Sequence, residues 1–361
     1  YRRQRQMCIR DSINIEAETL LSDNKTTCYR NKAQYPVSFD RQLKIGFFAP
    51  RSHRVVDCEN CILQPPIFAD IVKIFRKFII KNGITVYDSE KQTGLLRHIY
   101  LRLAEATGEV MVCAVINGED LPHKNELIEK LTEIPSVKSI VLNINRDRTN
   151  VILGKECVTV WGNDCIYDVL CGVKVRLSPL SFYQVNHDMA QQLYEKAAEY
   201  ACLSGKETVL DMYCGTGTIG LSMAKKAKRI IGAEIVPEAV LDAKRNALEN
   251  GIENAEFMCA DAGEAAQELS SRGIKPDVVL LDPPRKGCDN ATLTAIVQMA
   301  PRTLVMVSCN PSTAARDAKF LCEQGYTLEK VQPVDLFPRT RHVETVVLLS
   351  KGEVDSKKIR V

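Results

Sequence analysis

From residue 207 to the C-terminus, short apolar runs alternate with stretches of helical spacing. ETVLDMYC (207–214) is an apolar run that ends in a glycine-rich turn, and TIGLSMAKKA continues from it with a helical period. RIIGAEI (229–235) predicts the next strand. PEAVLDAKRNALEN predicts a helix with Pro237 at its start and Gly251 just past its end. AEFMCAD (255–261), DVVLLDPP (277–284) and RTLVMVSC (302–309) predict three more strands with helices between them. Two last strands, near 326–334 and 343–350, have only a short connection. Five strand–helix steps closed by a hairpin predict an α/β, doubly wound, mostly parallel Rossmann-like sheet with an antiparallel edge strand. Ligands of such sheets sit at the carboxyl ends of the strands.

Residues 28–175 have a different pattern. Strand-like runs such as KIGFFAP, EVMVCAVING, SVKSIVLNIN and CVTVWGN are separated by turns, and helical stretches interrupt them near 67–82 and 123–133. This predicts a preceding α+β domain built on an antiparallel sheet, with the boundary near VRLSPLSF. The expected organisation is 1–27 as a leader or truncated N-terminus, 28–175 as the α+β domain and 176–361 as the doubly wound domain. The leader is basic and patternless and begins at Tyr1, so it is set aside from the fold.

Composition changes this picture little. The 361 residues are 45% hydrophobic and 26% charged, ordinary for a globular chain. No run approaches the length of an apolar membrane span, no secretory signal opens the chain, and a cytoplasmic address is expected. Fourteen scattered cysteines read as buried thiols and not as a disulfide framework. A net charge of +3 permits nucleic-acid binding without arguing for it.

The candidate chemistry gathers at the predicted strand ends. Gly215, Gly217 and Gly220 form G-x-G-x-x-G after a strand, a signal that nucleotide and S-adenosylmethionine sites share. Asp211, four residues before the first glycine, would repel a pyrophosphate and suits an ammonium. Glu234 ends the next strand and can accept two ribose hydroxyls. Asp261 ends the third and is placed for an adenine amino group. Three such acids suit S-adenosylmethionine; capping of helices is the plainer alternative. In LDPPRKG, Asp282 is an acceptor held on a proline-stiffened turn, and Arg285 and Lys286 add positive charge. Cys309 follows the fifth strand and so shares the crevice. A thiolate adding to carbon 6 of uracil makes carbon 5 nucleophilic, which nitrogen methylation would not need. A base must then remove the carbon-5 proton. Glu344 and His342 both qualify, and strand alternation does not choose between them.

Together SPLSFYQVN, DMYCGTGTIGL, LDPPRKGCD, SCNPSTAARD and FPRTRHVETV resemble the RNA (uracil-5-)-methyltransferase family, most closely its bacterial 23S ribosomal RNA branch. The resemblance implies methyl transfer from S-adenosylmethionine to a uridine of 23S ribosomal RNA, with Cys309 as nucleophile and Glu344 as base. It implies cofactor positions at Gln184, Tyr213, Thr218, Glu234, Asp261 and Asp282, beside Asp211, Gly215 and Gly217. The same chemistry on the transfer-RNA T-loop, or a non-catalytic RNA-binding factor, are the alternatives. Two features of the family are missing: the N-terminal TRAM barrel and the C-x5-C-G-x-C run of a [4Fe–4S] cluster. Cys61, in DCENCILQPP, matches the cluster's remaining ligand, so a cluster belongs to a full-length protein and an intact one is not expected here. RNA contacts are expected at Arg30 and Lys32, at Arg51, His53 and Arg54, and at Arg339 and Arg341.

Overall fold

The computed structural model of the chain describes residues 15–352. They form two compact units. One holds Lys25–Val169 and Val175–His187. The other holds the described residues of Tyr1–Asn24 and Asp188–Val361, with Leu170–Lys174.

The first unit is built on β1 (Lys32–Asp40), β2 (Gln42–Phe48), β3 (Val55–Asp57), β4 (Leu96–Leu103), β5 (Val110–Ile116), β6 (Val137–Ile144) and β7 (Glu156–Gly162). Their order is β3-β2-β1-β4-β5-β6-β7. Pairing is antiparallel except between β5 and β6, which are parallel because α2 (Lys124–Thr132) carries the chain across. The longer α1 (Pro66–Asn82) lays Phe68, Ile71, Val72, Phe75, Phe78 and Ile79 on one face of the sheet. Spacings of three and four put these residues on one stripe of the helix. β8 (Ile166–Leu170) and β9 (Val173–Leu177) form a separate hairpin.

The sequence pattern draws one boundary near 175, whereas Val175–His187 belongs to the first unit. Polar contacts tie it there. Arg102 donates to the carbonyls of Ser178 and Ser181, and the Tyr183 hydroxyl donates to buried Asp168. Such long-range anchors leave no periodic trace.

In the second unit, α3 (His187–Ala201) leads into β10 (Thr208–Met212), α4 (Thr218–Met223), β11 (Arg229–Glu234), α5 (Pro237–Glu249), β12 (Ala255–Cys259), α6 (Ala262–Ser271), β13 (Val278–Leu281), α7 (Asn290–Met299), β14 (Thr303–Ser308), α8 (Pro311–Glu323), β15 (Tyr326–Val334) and β16 (Glu344–Lys351). The order is β12-β11-β10-β13-β14-β16-β15. Strands β10 to β14 are parallel; β10, β11, β13 and β14 are buried along most of their length, hence their largely apolar runs, whereas β12 at the edge is partly exposed. The antiparallel strand is β16, and it lies inside the sheet between β14 and β15 instead of at its edge. Part of the expected leader also belongs to the fold. Glu18 N–H donates to Val331 O at 2.8 Å and Leu21 N–H to Pro333 O at 3.0 Å, along the outer side of β15. Ile15 and Ala17 pack on the core. Residues 1–14 of that leader lie outside the described residues.

Candidate active site

The strand ends of the second unit bring most of the sequence candidates together. β10 carries buried Asp211 one residue before its end, and the Asp211 Oδ2 accepts the Gly220 N–H at 2.9 Å. A Cβ at Gly220 would stand 2.8 Å from that oxygen, so only glycine lets the turn approach so closely. The other oxygen, Oδ1, is buried and has no partner. Burial pushes the carboxyl up to about 7, against the Gly220 hydrogen bond and with help from Asp282 and Glu234. An unpartnered carboxylate oxygen walled in beside other acids fits a cationic group, and the ammonium of S-adenosylmethionine is one.

Tyr213 follows in the left-handed region, at φ 63°, and its hydroxyl meets Thr292 Oγ1 at 3.2 Å. A non-glycine residue held there costs about 1–3 kcal/mol, a strain that clusters at ligand sites. Gly215 and Gly217 are also left-handed and shape the turn into α4, which Thr218 begins. Glu234, ending β11, accepts the Gly215 N–H at 3.1 Å through Oε2 and the Val236 N–H at 2.9 Å through Oε1. Cys214, next to the turn, is buried among core groups. Asp261 is exposed and caps α6: its Oδ1 accepts the Glu264 N–H at 2.9 Å, and Glu264 accepts the Asp261 N–H in return. Gln184 belongs to the first unit, where its carbonyl accepts from Asn31 at 3.0 Å.

The reactive candidates meet through strand register. β14 and β16 pair Ser308 with Thr345, so the next residue on each, Cys309 and Glu344, are opposed across the strand end. Opposed residues of an antiparallel pair project to the same face. Burial pushes the Cys309 thiol up, Glu344 adds to this, and Arg285 pulls it down by charge and by a hydrogen bond. Glu344 is buried and pushed up to about 8, by burial first and Asp282 second, with Arg285 opposing. Burial raises Asp282 to about 7. His342 precedes the strand, with its ring edge-on to Phe337 at 6.1 Å. Strand alternation therefore does not extend to residue 342.

Three residues not singled out in the sequence hold the Asp282 loop to the thiol loop. Asn310 Nδ2 donates to Arg285 O at 3.1 Å. Arg316 Nη2 donates to Lys286 O at 3.1 Å and Cys288 O at 2.9 Å. Asp317, fully buried, accepts the Cys288 N–H at 2.8 Å. The available signal was a charged residue inside the apolar stripe Ala314, Ala318, Leu321 of α8.

Cys61 lies beside Cys58 in the first unit, close enough for their thiols to perturb each other. A [4Fe–4S] cluster takes four thiolates. Among the described residues no three metal-ligating side chains gather, so these residues alone do not fit the cluster. Of the expected RNA contacts, Arg30, Lys32, Arg51, His53 and Arg54 lie in the first unit, and Arg339 and Arg341 are exposed between β15 and β16.

A protein-family model described as tRNA (uracil-5-)-methyltransferase matches residues 155–352. An RNA methyltransferase of Clostridium tetani is 46% identical over 340 residues, covering 94% of this chain and 74% of its own length. One from Halalkalibacterium halodurans is 47% identical, over 90% and 72%. The crystal structure of the tRNA (uracil-54, C5)-methyltransferase of Pyrococcus abyssi, in complex with S-adenosyl-L-homocysteine, superimposes with a TM-score of 0.81 at 29% identity. It covers 96% of this chain and 81% of the other.

Proposed function

Because the chain belongs to the tRNA (uracil-5-)-methyltransferase family of S-adenosylmethionine-dependent RNA methyltransferases, we propose that it makes 5-methyluridine in 23S ribosomal RNA. The observation that carries the chemistry is the opposition of Cys309 and Glu344 on neighbouring strand ends, with Arg285 acting on both.

Bound S-adenosylmethionine supplies the methyl group. Asp211, Tyr213, Gly215, Gly217, Thr218, Glu234, Asp261 and Asp282 are the residues assigned to hold it. The Cys309 thiolate adds to carbon 6 of the uracil, and Arg285 favours the thiolate by its charge. The added sulfur makes carbon 5 enolate-like. Once carbon 5 carries the methyl, Glu344 takes its proton, and the electron pair of that carbon–hydrogen bond restores the double bond and expels the sulfur. His342 is the competing base. The residues of YRNKAQ and the central domain support the ribosomal target by their resemblance to that branch. The transfer-RNA reading has one specific support, the substrate of the Pyrococcus abyssi relative.

Labelled methyl transfer decides between them. The chain is incubated with S-adenosylmethionine and either transcribed 23S ribosomal RNA or transfer RNA, and the RNA is digested to nucleosides. 5-Methyluridine from the ribosomal transcript is expected. Label only in transfer RNA reverses the target, and label in neither overturns the catalytic reading.

A further inference from the structure

In the first unit, β1 and β4 are antiparallel neighbours, and their register sets Lys32 directly opposite Arg102. Residues so paired share a face, and like charges directly opposed destabilise a sheet. Arg30 adds a third positive charge to the field at the Lys32 ammonium. Arg102 is only 2% exposed, yet its guanidinium is not neutralised. It donates to the Ser178 carbonyl at 2.9 Å and the Ser181 carbonyl at 2.7 Å, and it lies 5.5 Å from the centre of the Tyr100 ring. Neither Lys32, Arg30 nor Arg102 forms an ion pair with a carboxylate among the described residues. Burial, then Arg102 and Arg30, pull the Lys32 ammonium down to about 8.

Three cations gathered around a register pair with no anion among them are costly for the free protein. Fixing Arg102 through neutral carbonyls holds the charge in place without cancelling it. We infer that Lys32, Arg102 and Arg30 form a seat for one backbone phosphate of the RNA substrate. The phosphate brings the negative charge that the cluster lacks, and Arg102 is already oriented, so little side-chain freedom is lost on binding. A contact of this kind positions RNA without reading its sequence. Naming RNA as the source of the phosphate rests on the proposed function.

The test is the salt dependence of RNA binding by the full chain, read without turnover. Transcribed 23S ribosomal RNA is titrated against wild type, Lys32→Met and Lys32→Arg across a range of potassium chloride. Removing one phosphate contact reduces the slope of log K against log salt by about 1. Lys32→Met is expected to show that reduction with unchanged S-adenosylmethionine affinity, and Lys32→Arg is expected to keep the wild-type slope. If Lys32→Met does not fold, Lys32→Gln takes its place. A wild-type slope in the neutral variant overturns the seat. A loss in Lys32→Arg as large as in Lys32→Met also overturns it, because packing and not charge would then be at work. Absence of methyl transfer on every RNA would sink the catalytic reading and leave this binding result standing.

Discussion

In the proposed mechanism Glu344 is the base, and it lies in a place that disfavours its ionised form. With its carboxyl pushed up to about 8, only a minor fraction is ionised near neutrality. Release of the methylated uracil from Cys309 is therefore expected to quicken as pH rises and to level off above about 8, read by quenching single turnovers and counting RNA–protein adduct. Glu344→Gln is expected to add the thiol, accept the methyl and stall, leaving labelled adduct stable to denaturing gels; normal turnover in that variant, or a stall only in His342→Ala, would move the role to His342. Asp211 gives a stability prediction with a definite sign. Its folded pKa of about 7 lies above the ordinary carboxylate value of 3.8, so the fold holds the proton more tightly than the unfolded chain does. The stability it contributes is fully present below about 4 and is lost as pH rises through about 7. Asp211→Asn should flatten the fall in melting temperature across that window; an unchanged slope would place the pH dependence elsewhere. The position of Cys309 and Asp211 at strand ends was legible because each ends or follows an apolar run beside a turn motif. That residue 344 and not 342 stands opposite Cys309 was not legible from alternation, because it follows from the register of β14 with β16. Nor was the action of Arg285 on that thiol, since the two residues meet across strands.

The loop after β13 is as much a product of α8 as of its own sequence. Asn310, Arg316 and Asp317 fix the backbone of residues 285–288 from outside. Asn310→Ala is expected to leave S-adenosylmethionine affinity unchanged and to slow alkylation of Cys309 at neutral pH, because Arg285 loses its shorter tie to the thiol loop and keeps only that from Thr313 Oγ1 at 3.5 Å. Restoration of wild-type alkylation with rising pH would mark the loss as one of thiolate, and a rate unchanged at every pH would remove Asn310 from this role. Gly287 is the tightest point, with φ 78° and an added Cβ only 2.5 Å from Arg316 Nη2 and 2.6 Å from Asp317 Oδ2. Gly287→Ala is expected to cost about 1–3 kcal/mol in urea unfolding; a change within about 0.5 kcal/mol would show that the loop has room to move. Among the elements, the inner parallel strands were the easiest to see, since burial along most of their length leaves them largely apolar. β4 was hidden because Arg97, His98 and Arg102 interrupt its pattern. Two of these are buried and donate to carbonyls far along the chain, Arg97 through Nη1 and Nη2 to Asn145, Asp147 and Thr149, and Arg102 to Ser178 and Ser181.

At the scale of the whole molecule, the strand–helix alternation was readable, while the places where the chain passes from one unit to the other were not. Residues 15–24 carry no strand period, yet they cover the open side of β15, the outermost strand of their sheet. Leu21→Pro removes the donor to Pro333 and is expected to lower stability by roughly 1–2 kcal/mol. Faster amide exchange confined to β15 and its cover is the matching signature, and unaltered exchange there would show the cover to be dispensable. The position of β16 has a consequence in time. It is the last described strand to be synthesised, yet it lies between two strands made before it. A chain still emerging from the ribosome carries the glycine turn and Cys309 before it carries Glu344. On the proposed mechanism, release of product waits until β16 is seated between β14 and β15, so a releasing enzyme is a chain translated at least through Lys351.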